Sequence, residues 1–202
     1  WFGHPDFKLG YEPEEARSLM EKHGFSQGEP LHVKIAISTS GSGQMQPLPM
    51  FQYIQSTLNQ CHFDVEAEVM EWNALLALGR QSAESEEAQA KGIDSLIISR
   101  TLMDPYSAFT RLFDSDRIPP NGSNWTMTSN PVYDDLLGQA EQEFDLEKQN
   151  ATLRKFHEAL VNNAEYIWVT HDVSPRALAP NLNGFVQAKS WFQDLTPVHL
   201  EE

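Results

Sequence analysis

Leu31, Val33, Ile35 and Ile37 alternate with His32, Lys34 and Ala36, a repeat of two that belongs to a β-strand and not to a helix. A second such run follows at Phe63–Met70, where Val65, Ala67 and Val69 share one face and Asp64, Glu66 and Glu68 the other. Residues 48–59 between them read as a helix. After the second run, Trp72–Leu78 (WNALLAL) starts helically, and the polar residues 79–91 either prolong that helix or form a solvated loop. Leu96, Ile97 and Ile98 then make a short continuous apolar run after Gly92, the signature of a strand buried on both faces. Strand, helix, strand, helix, strand predicts an α/β fold with a mainly parallel central sheet flanked by helices and joined by right-handed crossovers.

Residues 12–25 place Ala16, Leu19 and Met20 at helical spacing, with acidic residues in the first turn and Gly24 where the helix stops. A Pro- and Asp-punctuated stretch, 104–120, holds a short helix at 106–113. Asn130-Pro131 introduces two more helices, 132–143 and Leu146–Asn162. Residues 166–170 (YIWVT) and 176–179 read as short strands, and Asn183-Gly184 as a turn.

The 202 residues carry 14 basic and 29 acidic side chains, a formal charge of −15. Such a charge repels phosphate backbones and anionic lipid surfaces, which argues against a nucleic-acid partner. No run approaches the roughly 20 apolar residues needed to span a bilayer, so direct membrane insertion is not expected. The lone Cys61 offers neither an internal disulfide nor a paired-cysteine metal site. The aromatic opening Trp1-Phe2 suggests an excised or processed piece, with any export signal upstream.

Several segments carry a more specific pattern. Tyr11-Glu12-Pro13-Glu14-Glu15-Ala16 leads into Leu19-Met20 and Gly24-Phe25, and the stretch from Leu58 to Val65 leads to Glu71-Trp72. Ile93-Asp94 and Leu96-Ile97-Ile98 precede Asp104-Pro105. The most specific element runs Asn124-Trp125-Thr126-Met127-Thr128-Ser129-Asn130-Pro131-Val132-Tyr133-Asp134-Asp135-Leu136-Leu137, and Asn183-Gly184-Phe185 lies near the carboxyl end. In this order the segments resemble the family 5 extracellular solute-binding proteins of ABC transporters, the oligopeptide, dipeptide and nickel class. The resemblance implies a periplasmic-binding-protein-like fold (type II, cluster C). It covers almost the whole chain, while the family's proteins are more than twice as long. Residues 1–202 therefore resemble a single α/β lobe, the C-terminal one, with segments from about 166 onward running toward the hinge. The chain departs from the family at Cys61-His62-Phe63, where glycine and isoleucine are usual. It also departs at Ser99-Arg100, where glycine-tryptophan is frequent and the following loop longer.

Open α/β sheets bind ligands beyond the carboxyl ends of their strands, which singles out Ser99, Arg100, Thr101, Leu102 and Met103. The planar fork of Arg100 suits a ligand carboxylate, and a structural salt bridge is the alternative. Trp125 and Trp72 offer flat surfaces against a solute, although tryptophan is more often buried in a core. Asp104 before Pro105 reads as a helix cap. The seven histidines never fall at metal-binding spacing, so no metal or other cofactor is expected. His171-Asp172 lacks a serine elbow, and the loop 38–43 lacks the lysine of a phosphate loop; no catalytic residue is assigned. Asn121-Gly-Ser123 and Asn124-Trp-Thr126 fit the glycosylation pattern without functional weight.

The function these readings favour is non-enzymatic. It is capture of a small or peptide-like solute in the periplasm of a Gram-negative cell or otherwise outside the cytoplasm, and delivery to the transmembrane permease of an ABC importer. The missing N-terminal lobe of the same protein would supply the other half of the cleft. A ligand-sensing domain of a cytoplasmic regulator is the alternative, and a hydrolase a more distant one.

Overall fold

The computed structural model describes residues 5–41, 46–100, 104–170, 176–188 and 192–201. Three parallel strands, β1 (Leu31–Ser38), β2 (Phe63–Met70) and β3 (Ser95–Leu96), form a sheet in the order β2, β1, β3. The central β1 runs alongside β2 from Leu31 opposite Phe63 to Ser38 opposite Met70, and meets β3 through Ile35 and Ala36. Being central, its second half is buried on both faces. Ile35 and Ile37 pack with Phe51 of α2 (Pro47–Asn59) and with Val65. On the opposite face Ala36 packs with Leu75 and Leu78 of α3 (Trp72–Leu78) and Ala88 of α4 (Glu86–Lys91). The mixed α/β architecture with a parallel sheet is thus as the sequence predicts.

The edge strand β2 is closed off by side chains of α2. Gln55 Nε2 donates to the Val65 carbonyl at 2.7 Å, and Asn59 Oδ1 accepts from the Val65 amide at 3.1 Å. Such cover limits the pairing hazard of an open strand edge. Val65 is buried as its face requires, but Val69 is exposed, because it lies outside the apolar cluster that α2 covers. The first helix, α1 (Pro13–Lys22), ends before Gly24, whose φ of +91° is a conformation glycine adopts without strain. None of its residues is buried.

Three expectations need correction. Residues 79–91 neither prolong α3 nor form a plain loop: a turn follows Leu78, and α4 starts anew with Ser85 Oγ accepting from the Ala88 amide at 3.3 Å. β3 covers only 95–96, and Leu96, Ile97 and Ile98 are half-buried where full burial was expected; β3 is the other edge strand, and among the described residues nothing pairs beyond it. Residues 166–170 and 176–179 join no sheet among the described residues. A strand needs a neighbour to accept its ladder. Tyr166 instead stands edge-on to Phe113, with ring centroids 4.9 Å apart, and stacks on Trp168 at 5.4 Å. Gly184, at a φ of +76°, directly follows β4 (Leu182–Asn183), which pairs antiparallel with β5 (His199–Leu200).

A helical layer follows the sheet: α5 (Pro105–Phe113), α6 (Pro131–Gln142) and α7 (Leu146–Asn162). Each begins at a cap legible in the sequence, since Asp104, Asn130 and Asp145 all accept from amides of the first turn. Phe113, Tyr133, Leu137, Leu153, Phe156 and Leu160 form its core. Ahead of α1 the chain lies along α7, with the Lys8 amide donating to Asn162 Oδ1 at 2.7 Å.

Layer and sheet meet at 124–128. Asn124, fully buried, donates to the Asp114 carbonyl at 3.1 Å and the Thr128 carbonyl at 2.8 Å, and accepts from the Thr128 amide at 3.0 Å and Thr126 Oγ1 at 3.3 Å. Trp125, its neighbour, packs into the sheet cluster. Asn124→Ala orphans several buried groups at once and is expected to lower stability by about 2–4 kcal/mol, read by urea denaturation. Asn124→Asp keeps the acceptor, loses both donors, and should fail to restore it.

Candidate functional site

The hydrogen bond from the Ile97 amide to the Ala36 carbonyl, at 2.9 Å, carries the chain past β3 and fixes where Ser99 and Arg100 leave the sheet. Both are half-buried at the carboxyl end of the parallel strands, as predicted. Thr101, Leu102 and Met103 lie outside the described residues.

The Arg100 side chain turns toward the end of α3, where Nη2 donates to the Gly79 carbonyl at 3.5 Å. Gly79 caps that helix, so the guanidinium faces the negative end of the helix dipole. Gly79 is itself buried, and a Cβ there would stand 3.3 Å from Arg100 Nη2, so the glycine lets the guanidinium come close. Arg100 Nε is buried and has no hydrogen-bond partner among the described residues. Among the described residues Arg100 has no carboxylate within salt-bridge distance, so the salt-bridge alternative finds no partner there. Burial lowers its pKa most and repulsion from Arg111 adds to this; Tyr166 opposes the shift and Arg80 contributes in the same direction as Arg111. Burial also raises the Tyr166 phenol, against the Thr126 hydroxyl and Arg100.

Trp72 opens α3 behind the cap Glu71, whose Oε2 accepts from the Asn73 amide at 2.7 Å. Its ring lies on the backbone of Gly41 in the loop after β1, so close that a Cβ at Gly41 would stand 2.1 Å from Cδ2. Trp72 is half-buried and packs against the cluster that contains Trp125 and Leu96. Trp125 itself is only 7% exposed, with a buried Nε1 that has no partner among the described residues. The structure thus brings the two tryptophans together on one face of the sheet. The blander sequence reading, core packing, describes Trp125 well.

Asp104 is the cap expected of it, accepting from the Ser107 amide at 2.9 Å. Asn124, though in a glycosylation pattern, is buried and bonded. His171-Asp172 and part of the loop 38–43 lie outside the described residues, and among the described residues no three His, Cys, Asp or Glu side chains could share a metal ion. Arg80, Arg111 and Tyr166 act electrostatically on Arg100 without having been singled out in the sequence. No local pattern marks them; only the fold assembles them.

No protein-family profile and no curated protein matches the sequence. Solved structures do. HbpA2 from Haemophilus parasuis matches at TM-score 0.76 and 20% identity, over 96% of this chain and 38% of that one. The oligopeptide-binding protein AppA from Bacillus subtilis, in complex with a nonapeptide, matches at TM-score 0.70 and 16% identity, over 100% of this chain and 40% of that one. The ABC transporter-associated periplasmic binding protein DppA from Helicobacter pylori, in complex with the peptide STSA, matches at TM-score 0.65 and 20% identity, over 95% and 35%. The fold is therefore shared with a part of each of these proteins. At these identities the likeness is one of fold, and the chain spans two fifths or less of the proteins it matches.

The contact between Trp72 and Gly41, at a φ of +103°, gives a direct check. Gly41→Ala should displace the indole and destabilise the chain by about 1–3 kcal/mol, as overpacking does. Near-UV circular dichroism should lose part of its tryptophan signal.

Proposed function

We propose that this chain is one lobe of a two-lobed extracytoplasmic protein that captures a small or peptide-like solute and delivers it to the permease of an ABC importer. The observation that carries the reading is the fold match along the whole chain to AppA, a protein described as oligopeptide-binding. The absence of a helix long and apolar enough to cross a membrane, among the described residues, fits a role in which membrane passage belongs to another subunit. The second lobe would come from the remainder of the protein and close over the carboxyl ends of β1, β2 and β3. Ligand pockets commonly form between domains, and a ligand bridging both lobes favours the closed form by its differential affinity.

Within this lobe the ligand-facing candidates are Ser99, Arg100 and the loop 101–103, with Trp72 and Trp125 behind them as the wall that holds the site in shape. Arg100 supplies the charge. It stays protonated at physiological pH, and among the described residues no carboxylate lies within salt-bridge distance of its half-buried guanidinium. Ligand identification by mass spectrometry on the intact protein tests the reading at its root: a bound solute supports it, and failure to retain or bind any solute from a peptide and metabolite panel overturns it. Arg100→Ala in the intact protein should weaken an anionic solute about 10- to 100-fold, the loss expected for a charge-assisted hydrogen bond. Arg100→Lys should recover only part of that, because the ammonium lacks the fork. Unchanged affinity in isothermal titration removes Arg100 from the site.

A further inference from the structure

Two asparagines stand directly before a glycine, Asn121 and Asn183. Such a pair permits a covalent change that needs no partner but water. The glycine amide nitrogen attacks the asparagine Cγ, a C–N bond forms, and the carboxamide nitrogen leaves as ammonia. Water then opens the five-membered succinimide ring. Opening at one carbonyl gives aspartate and at the other isoaspartate, whose main chain runs through Cβ. In either case an amide and a water become a carboxylate and an ammonium ion. Glycine favours the closure because it has no Cβ to crowd the new bond and a freely turning backbone.

The ring forms only where the carboxamide and the following amide can turn toward each other. Asn121 is exposed and lies in neither helix nor strand. Its own amide donates to the Ile118 carbonyl at 3.0 Å, but among the described residues no hydrogen bond holds its carboxamide or the Gly122 amide. Asn183 is placed differently. It is half-buried within β4 and stands opposite His199 in the antiparallel pair, so its backbone must leave the ladder before the ring can close. That local opening adds to the barrier.

The effect of the reaction follows from where Asn121 sits. It lines a surface recess with Asp114, Asp116, Arg117 and Glu141, where three carboxylates already face one guanidinium. Deamidation adds a fourth, in a chain whose formal charge is −15. The isoaspartyl product acts on the backbone as well. The Arg117 carbonyl accepts from the Asn124 amide at 3.0 Å, which closes residues 118–123 into a loop. Gly122 packs so tightly inside it that a Cβ would stand 2.5 Å from the Arg117 carbonyl oxygen. An additional main-chain carbon at 121 therefore displaces Asn124, the buried carboxamide that bonds to the Asp114 and Thr128 carbonyls.

We propose that Asn121 is a site of spontaneous deamidation, selected over Asn183 by the fold, and that its isoaspartyl product loosens the junction at Asn124. The Asn121-Gly122-Ser123 motif thus carries a chemistry of its own, independent of any solute.

The test ages the intact protein at mildly alkaline pH and follows it by peptide mapping with mass spectrometry. The native protein should exchange amide for acid at 121 at least about tenfold faster than at 183, a modest difference in barrier. In urea, where neither turn is held, the two rates should converge. Asn121→Gln should abolish the change at this position, because its longer side chain must close a six-membered ring, and should leave the melting temperature of fresh protein unaltered. The isoaspartyl fraction, identified with an isoaspartate-specific methyltransferase, should melt below the fresh protein. No change at 121 in native protein while the urea control reacts, or a rate at 183 equal to that at 121, overturns the proposal. An isoaspartyl fraction that melts as fresh protein does overturns the loosening at Asn124.

Discussion

The carboxamide of Asn124 is the point on which the two halves of the structure depend. Its nitrogen has two protons and two acceptors, the carbonyls of Asp114 and Thr128. Its oxygen has two lone pairs and two donors, the Thr128 amide and Thr126 Oγ1. The group is therefore saturated, which is what makes its complete burial tolerable. From Thr128 the network continues to Glu165, which also accepts from Tyr133 at 3.0 Å, and Asn163 donates to Tyr133 at 2.8 Å. Adjacent residues thus serve opposite partners: Asn124 holds the helical layer, and Trp125 fills the cluster beneath the sheet. The Ala83 amide, donating to the Trp125 carbonyl at 3.3 Å, closes the connection from the sheet side.

What could be read from the sequence was whatever its own neighbours determine. Strands β1 and β2 carried their alternation in eight residues each, and Asp104, Asn130 and Asp145 announced their helices because a cap acts on amides two or three residues away. Helix α4 carried no such stripe: EEAQAK is almost wholly polar, and only Ser85 and Gly92 at its ends mark it. The reading of 166–170 as a strand failed for a different reason. Tyr-Ile-Trp-Val-Thr has the residues of a strand, but strand formation belongs to a pair of segments, and no described segment runs beside it. Its aromatics turn onto Phe113 and leave Ile167 exposed.

The candidate site divides along the same line. That Arg100 would stand at the carboxyl end of a parallel strand followed from the succession of elements. That it would reach back to Gly79 did not, because nothing in the composition of either segment refers to the other. The tryptophans were ambiguous for a physical reason: a large, mostly apolar ring serves equally to line a cleft or to fill a core. Burial of Trp125 in the sheet cluster, with Trp72 lying across Gly41, decides how they act in this chain, which is by holding the strand ends and the first loop in place.

Arg100 then unites structure and chemistry in one group. A half-buried cation with no carboxylate beside it among the described residues is costly, and burial lowers its pKa. The carbonyl end of α3 offers partial compensation, about half an elementary charge at most, through a bond of 3.5 Å. Nearby Arg111 and Arg80 make the potential more positive still. The folded chain therefore holds an arginine that is positioned but, among the described residues, incompletely neutralised, while its overall charge is strongly negative. An anionic group brought to it would supply what the helix end does not, at little reorganisation cost, because packing against Gly79 already limits the freedom of the side chain. The same incompleteness that costs this chain stability is what would favour an anionic group beside Arg100.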